Sequence, residues 1–400
     1  MKNIAIVIVA FNREKSLIRL LNSLNSLVVQ KEEEIPLYIS IDRAKDRNLE
    51  NQRVVEIAKE FEWKFGKKIV NYREKNMGLK KHILECGKLT DIYENIIVLE
   101  DDIVVSPLMY TYAKQVIDFY KGNKEIAGFG LYSFQRNPIN NLLFYPINNG
   151  TDVYFLQYAC SWGQIWTKDR WDDFYNWYEK NKNCNFSNYL NIPRNVKKWG
   201  ENSWLKFHVI YTILNNKYFV YPQIGLTTNF TDGGTHNKFS SIAYQCYMYS
   251  GNNEEVNFKF TSLDKANNVY DAFFENMILK KMLNCEKDII SDLYGEKQIE
   301  YIQNQKGYLL STNIYNYKVL NSYSLQMYPY EMNIVNEIKG KDIFLYDKNV
   351  TEKNKYTYIK EKLLKYTYRL DLLSKKYMIY LTNLFSKDIK NRIVRKIRRK

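Results

Sequence analysis

Asn95-Ile96-Ile97-Val98-Leu99-Glu100-Asp101-Asp102 decides how this chain is read. Four consecutive apolar residues, two of them isoleucines and one a valine, predict a strand (95–99) buried on both faces. Three carboxylates then follow at its carboxyl end. Three acids in a row repel one another, so the turn is costly unless a cation or hydrogen-bond donors compensate it. Hard divalent ions take oxygen ligands, and Mg2+ or Mn2+ held by one or two carboxylates keeps other positions for water and phosphate. Alone, such a triplet also reads as a solvated acidic turn, or as acids ahead of the helix that Ser106-Pro107 opens.

The residues upstream favour the first reading. A continuous apolar run over 4–11 predicts a buried strand, followed by Leu17, Leu20, Leu21 and Leu24 at helical spacing over 16–29. Strand 37–41, ending at Asp42, helix 49–65, strand 68–72 and helix 78–87 continue the alternation. Strand, helix, strand, helix predicts an α/β fold with a mostly parallel sheet and right-handed crossovers. Ligands bind such sheets beyond the carboxyl ends of the strands. The residues there are Asn12-Arg13, Asp42-Arg43, the stretch 73–78, and Glu100-Asp101-Asp102.

Other phosphate-binding devices are missing. There is no GxxxxGK[ST], and the loop after the first strand, Ala10-Phe11-Asn12-Arg13-Glu14, has no glycine. That argues against P-loop enzymes and dinucleotide oxidoreductases. Gly128 and Gly130 follow a later strand and carry little.

Composition sets the outer limits. The 400 residues are 45% hydrophobic, 26% charged and 16% aromatic, with only 16 Gly and 7 Pro, which excludes collagen-like and low-complexity chains. The 35 Tyr and 7 Trp suit surfaces that are apolar on one side and hydrogen-bonding on the other, as in sugar clefts. Of the net charge of +15, residues 351–400 supply +12, with 16 Lys/Arg against 4 Asp/Glu. The basic excess is therefore a tail, not a reading surface for nucleic acid, and no nucleic-acid partner is expected. The tail alternates apolar and basic residues at helical spacing. It reads either as a segment lying on an anionic membrane surface or as a solvated helical or disordered end. Five cysteines with no CxxC pair argue against a disulfide framework and a zinc finger. The apolar run near the N-terminus lacks a cleavage site and no stretch reaches membrane-spanning length, so a cytoplasmic chain, peripheral at most on the inner face of the cell membrane, is expected.

As a set, these motifs resemble the GT-A fold of nucleotide-sugar glycosyltransferases, in particular bacterial family 2-like enzymes. The residues are Ala10-Phe11-Asn12-Arg13, Asp42, Asn76-Met77-Gly78 and Glu100-Asp101-Asp102. The Glu-Asp-Asp form of the DxD motif, a Trp-rich middle and Pro222-Gln223-Ile224 through Thr235-His236 are similar to N-acetylglucosaminyltransferase I. The resemblance covers about residues 1–240. It implies a GT-A domain over 1–250, with a nucleotide-sugar half (1–130) and an acceptor half (131–250). An accessory region of unassigned fold (251–350) and a basic helical tail (351–400) complete a C-terminal α-rich extension.

The resemblance also implies roles. Phe11, Asn12 and Arg13 lie beside the nucleotide, Asp42 accepts hydrogen bonds from base or ribose, and Asn76 and Gly78 line the donor pocket. Glu100 and Asp101 contact ribose and donor sugar. Asp102 ligates a divalent cation, Mn2+ or Mg2+, and His236 is either a second ligand or a plain turn residue in a Gly-Gly loop. Direct displacement needs a base for the acceptor hydroxyl. Glu201, between Trp199 and Trp204, is favoured by position, with Asp172 and Asp173 as alternatives. Trp162, Trp166 and Trp204 either stack on sugars or belong to the core. The implied activity is metal-dependent transfer of a sugar from a nucleotide-sugar donor to a glycan or lipid-linked acceptor, by inverting single displacement, in bacterial surface polysaccharide or lipopolysaccharide synthesis. Two other readings stay open: a sugar-nucleotidyltransferase, and a non-catalytic carbohydrate- or membrane-binding protein on the same fold.

Overall fold

In the computed structural model, the described residues are 4–30, 33–230, 232, 242, 244–251, 255–355, 382 and 386. The chain divides into two compact units, Met1–Gly307 and Tyr308–Lys400.

The first unit is built on a nine-stranded mixed sheet. Its strands are β1 (Ala5–Ala10), β2 (Leu37–Ile41), β3 (Lys68–Tyr72), β4 (Asn95–Glu100), β6 (Ile126–Gly130), β7 (Val153–Leu156), β8 (Gln164–Thr167), β9 (Tyr218–Pro222) and β11 (Val269–Tyr270). The order across the sheet is β11-β7-β9-β6-β8-β4-β1-β2-β3. Strands β1 to β4 are mutually parallel, and β8 enters antiparallel between β4 and β6. A separate antiparallel pair joins β5 (Ile103–Val105) to β10 (Thr227–Asn229).

The continuous apolar runs have a direct cause. Along β1, Ile6, Ile8 and Ala10 belong to one hydrophobic core, while Ala5, Val7 and Val9 belong to another. In β4, Ile97 and Leu99 share the first core, and Ile96 and Val98 the second. A strand covered on both faces needs apolar side chains at every position, not every other one. Helices α1 (Glu14–Leu24), α2 (Leu49–Glu60) and α5 (Met109–Phe119) cover one face. On the other lie α3 (Leu79–Gly87), α6 (Lys168–Asn181) and α8 (Trp204–Leu214). This second core is strongly aromatic. The Trp166 and Trp171 rings stack at 4.5 Å between centroids, and Trp204 meets Trp166 edge-on at 5.7 Å. Of the three tryptophans considered for sugar stacking, Trp166 and Trp204 are thus core residues.

The expected domain limit at 250 moves. Strand β11 pairs with β7, so residues beyond 250 complete the main sheet. Segment 271–297 is fixed by a buried polar network in which Lys297 pairs with Asp271 at 2.6 Å and Glu275 accepts from Ser291 and from the Tyr294 backbone, both at 2.7 Å.

The second unit holds a strand at Tyr308–Ser311 and another at Tyr317–Tyr323, each antiparallel to a third at Ile343–Thr351, plus a short helix at Glu331–Val335. Its described part, 308–355, is mainly β, largely within the stretch whose fold the sequence leaves unassigned. The basic tail lies outside the described residues apart from 351–355, Thr382 and Ser386.

Candidate active site

Register brings the motif residues together. Ala10 pairs with Ile41, and Val9 with Glu100, so the residues that follow β1, β2 and β4 emerge level with one another on one edge of the sheet. Adjacent strands are about 4.8 Å apart, which puts Arg13, Asp42 and the acidic turn side by side on one edge.

Arg13, at the start of α1, turns back onto the acids. Its Nη1 donates to Asp102 Oδ2 at 2.7 Å, and its Nη2 pairs with Asp101 Oδ1. Burial opposes the guanidinium charge, but Asp101 and Asp102 outweigh that and raise the Arg13 pKa. Burial pushes Asp101 up to about 6 although Arg13 pulls the other way. Burial of its carboxyl, with the Asp102 charge beside it, pushes the half-buried Glu100 up to about 8. Asp102 is only 8% exposed, and its Oδ1 is buried with no hydrogen-bond partner among the described residues. A buried carboxylate oxygen left unpaired is costly and calls for a donor or a cation.

The Asp42 carboxylate makes several hydrogen bonds within the chain. Its Oδ1 accepts from the backbone N–H of Arg43 at 3.0 Å and of Met77 at 2.9 Å. Its Oδ2 accepts from Gly78 N–H at 2.9 Å and Asn76 Nδ2 at 3.5 Å. The carboxylate is thus used internally, clamping the 76–78 loop to the end of β2. Asn76 also donates to the Arg43 carbonyl at 2.6 Å. Gly78 has φ +71°, a left-handed value that explains a glycine where the loop enters α3. Phe11 is 37% exposed at the tip of β1, and Asn12 lies at the surface with its amide 3.3 Å from Glu50.

Two residues that sequence reasoning missed organise this edge. Asn51, buried in α2, uses its whole hydrogen-bonding capacity. Its Nδ2 donates to the carbonyls of Phe11 (2.6 Å) and Asp42 (2.9 Å), and its Oδ1 accepts from Tyr72 (2.9 Å) and Ala44 N–H (3.3 Å). It stitches the loops after β1 and β2 together. Its only sequence signal is an Asn three residues after the helix cap Asn48. Asp232 follows β10, pairs with Arg19 and accepts from Ser16 at 2.6 Å, fixing that segment to α1. Just before it, Phe230 N–H donates to the Asp102 carbonyl at 3.0 Å. His236 lies outside the described residues.

Topology separates the base candidates. Strand β8 is antiparallel to β4, with Thr167 opposite Asn95, so α6 starts at the amino-terminal edge of β4. Asp172 and Asp173 sit in its first turns, paired with Lys168 and Lys217, on the wrong edge for the acidic turn. Helix α8 instead runs toward the start of β9, so its own start, capped by Ser203, lies on the site edge. Glu201 precedes it. Its side chain is 75% exposed and pairs with Lys206 at 2.6 Å, while Lys80 of α3 donates to its carbonyl at 2.8 Å. The burial expected to tune a base is missing there. Trp162 is half-buried on the same edge, with its ring 4.8 Å from Tyr132 and 5.2 Å from Tyr244.

The acids fit a metal in a limited way. Among the described residues no three His, Cys, Asp or Glu side chains converge as a metal-binding group. The unpartnered Asp102 oxygen nevertheless matches a Mg2+- or Mn2+-type site, in which one carboxylate suffices when water and phosphate complete the shell.

No family matches the chain and no curated protein matches it. Among solved structures it is similar to Staphylococcus aureus TarS 1–349, with TM-score 0.35 and 16% identity over 55% of this chain and 58% of that one. The complex of the same protein with UDP-GlcNAc gives TM-score 0.33 at 16% identity, covering 55% and 56%. The mannosyltransferase PcManGT from Pyrobaculum calidifontis, in complex with GDP-Man and Mn2+, gives 0.29 at 8% identity, covering 42% and 46%. The chain thus spans little more than half the length of the TarS fragment.

Proposed function

We propose that the chain is a divalent-cation-dependent glycosyltransferase. It takes a sugar from a nucleotide-sugar donor and transfers it to a hydroxyl of a glycan or lipid-linked acceptor by inverting single displacement. The single observation that carries this reading is the buried, unpartnered Asp102 Oδ1 in an acidic turn at the strand ends, beside Arg13.

Arg13 offers one positive charge against two carboxylates, which leaves the turn anionic and receptive to a further cation. A bound Mn2+ or Mg2+, held by Asp102, supplies Lewis-acid neutralisation of the departing diphosphate. The chain's own residues do the rest. Asp42 and Asn51 hold the loops that frame the donor, and Phe11 presents an exposed ring at the tip of β1. Glu100, in its protonated form, donates a hydrogen bond to a donor hydroxyl. Glu201 takes the proton of the acceptor hydroxyl, whose oxygen attacks the anomeric carbon. The bond to the diphosphate breaks and its electron pair leaves with the phosphate. Lys206 and Lys80 hold the Glu201 loop on the site edge.

The setting proposed is bacterial surface polysaccharide or lipopolysaccharide synthesis on the cytoplasmic face of the membrane, with the basic stretch 351–400 meeting anionic lipid. Among the described residues no helix is long and apolar enough to cross a membrane.

A thermal-shift screen of nucleotide sugars, with Mn2+ and with chelator, tests the proposal. Binding at about 100 times Kd stabilises the folded state by about 2.7 kcal/mol, a readable rise in Tm. The rise should need both nucleotide sugar and metal. Pyrophosphate release from a nucleoside triphosphate and a sugar phosphate would favour a nucleotidyltransferase instead. No response to any nucleotide would favour a non-catalytic binding protein.

A further inference from the structure

We propose that Arg13 is the donor-free protein's built-in cation and competes with a divalent ion for Asp102, so that metal and donor diphosphate bind together rather than metal first. This rests on the function proposed above. The geometry is specific. One guanidinium spans two carboxylates, reaching Asp102 Oδ2 at 2.7 Å and Asp101 Oδ1 through its other nitrogen. Asp102 Oδ1 is left buried and unpartnered among the described residues. An ion arriving there shares a carboxylate with a positive charge already on its other oxygen, and like charges so placed weaken each other's binding. Glu100, the third acid of the turn, lies beside Asp102, but among the described residues no three His, Cys, Asp or Glu side chains converge as a metal-binding group.

A diphosphate changes the balance. Its oxygens offer the guanidinium a bidentate partner as good as the carboxylates it leaves. Arg13 can make that exchange. It lies in the turn between β1 and α1, and its side chain keeps 30% exposure. Moving it from acid to phosphate frees both Asp102 oxygens and neutralises the donor in the same step.

The test measures Mn2+ binding, by the loss of its free-ion electron paramagnetic resonance signal, in donor-free wild type, Arg13→Gln and Arg13→Lys. Arg13→Gln should bind Mn2+ at least about tenfold more tightly than wild type, with Arg13→Lys close to wild type because the charge is kept. With the Mn2+ complexed by nucleotide alone subtracted from protein-free controls, UDP or GDP should tighten Mn2+ binding to wild type at least about tenfold and to Arg13→Gln much less. Unchanged or weaker Mn2+ binding by folded Arg13→Gln overturns the proposal. Should that variant fail to fold, equal Mn2+ affinity of wild type with and without nucleoside diphosphate overturns it. The two readings fail separately. If no nucleotide binds but Arg13→Gln tightens Mn2+ binding, the donor reading falls and the competition stands. If nucleotide sugars bind with Mn2+ while Arg13→Gln leaves metal affinity unchanged, only the competition falls.

Discussion

Replacing Asp42 with asparagine asks whether this acid clamps the 76–78 loop. The carboxylate accepts three backbone N–H bonds and one longer side-chain bond, with the residue only 5% exposed. Asparagine keeps one oxygen and gains an NH2 group. With nitrogen at the Oδ2 position it faces Gly78 N–H; with nitrogen at Oδ1 it faces the N–H groups of both Arg43 and Met77. The better orientation still loses one charge-assisted bond, roughly 1.5–3 kcal/mol, and leaves a donor unpaired at roughly 1–3 kcal/mol. The two overlap, so Asp42→Asn should cost about 2–4 kcal/mol in urea unfolding and weaken nucleotide-sugar binding as the loop opens. A loss of donor affinity with stability within about 0.5 kcal/mol of wild type would refute this reasoning. It would return Asp42 to direct contact with base or ribose.

Three further changes probe other parts of the account. Asn51→Leu keeps the branched shape, with a larger side chain, but removes four hydrogen bonds, so it should destabilise by about 2–4 kcal/mol and lower donor affinity; an unchanged urea midpoint would argue against the stitch between the β1 and β2 loops. Glu331 of the second unit is pushed up to about 7 by burial, above its ordinary value near 4.5. Its stability contribution is present in full below pH 4.5 and lost as pH rises through 7, so Glu331→Gln should gain on wild type by up to about 3 kcal/mol between pH 5 and pH 8, and parallel pH profiles in urea unfolding would count against it. Glu201→Gln should leave donor binding intact and lower kcat by roughly 100-fold or more, as loss of a general base does; retained turnover would remove Glu201 as the base.

What the sequence disclosed and what it hid have physical causes. Strands β1 and β4 fall within a residue of the stretches read from sequence, because burial on both faces forces an unbroken apolar run, while β2 and the half-buried edge strand β3 fall on the residues read. The acids after β4 stand out because carboxylates at a strand end have no packing reason to be there. The insertion of antiparallel β8 between β4 and β6, and the return of β11 to the sheet edge, depend on contacts between distant segments that no local pattern encodes. The tryptophans looked alike in sequence, yet Trp166 and Trp204 pack inside while Trp162 reaches the rim. Asn51 was hidden because a polar residue in a helix normally faces solvent, whereas this one faces two loop carbonyls. Asp42 was visible as a strand-end acid, but only the structure shows its oxygens spent on its own backbone.

The most direct measurement is calorimetric titration of nucleotide sugars into wild type and Asp102→Ala, each with Mn2+ and with chelator. The account predicts that at least one nucleotide sugar binds wild type only with Mn2+, and that this metal-dependent binding vanishes in a folded Asp102→Ala. Equal affinity in the variant, or wild-type binding that ignores the metal, would contradict it.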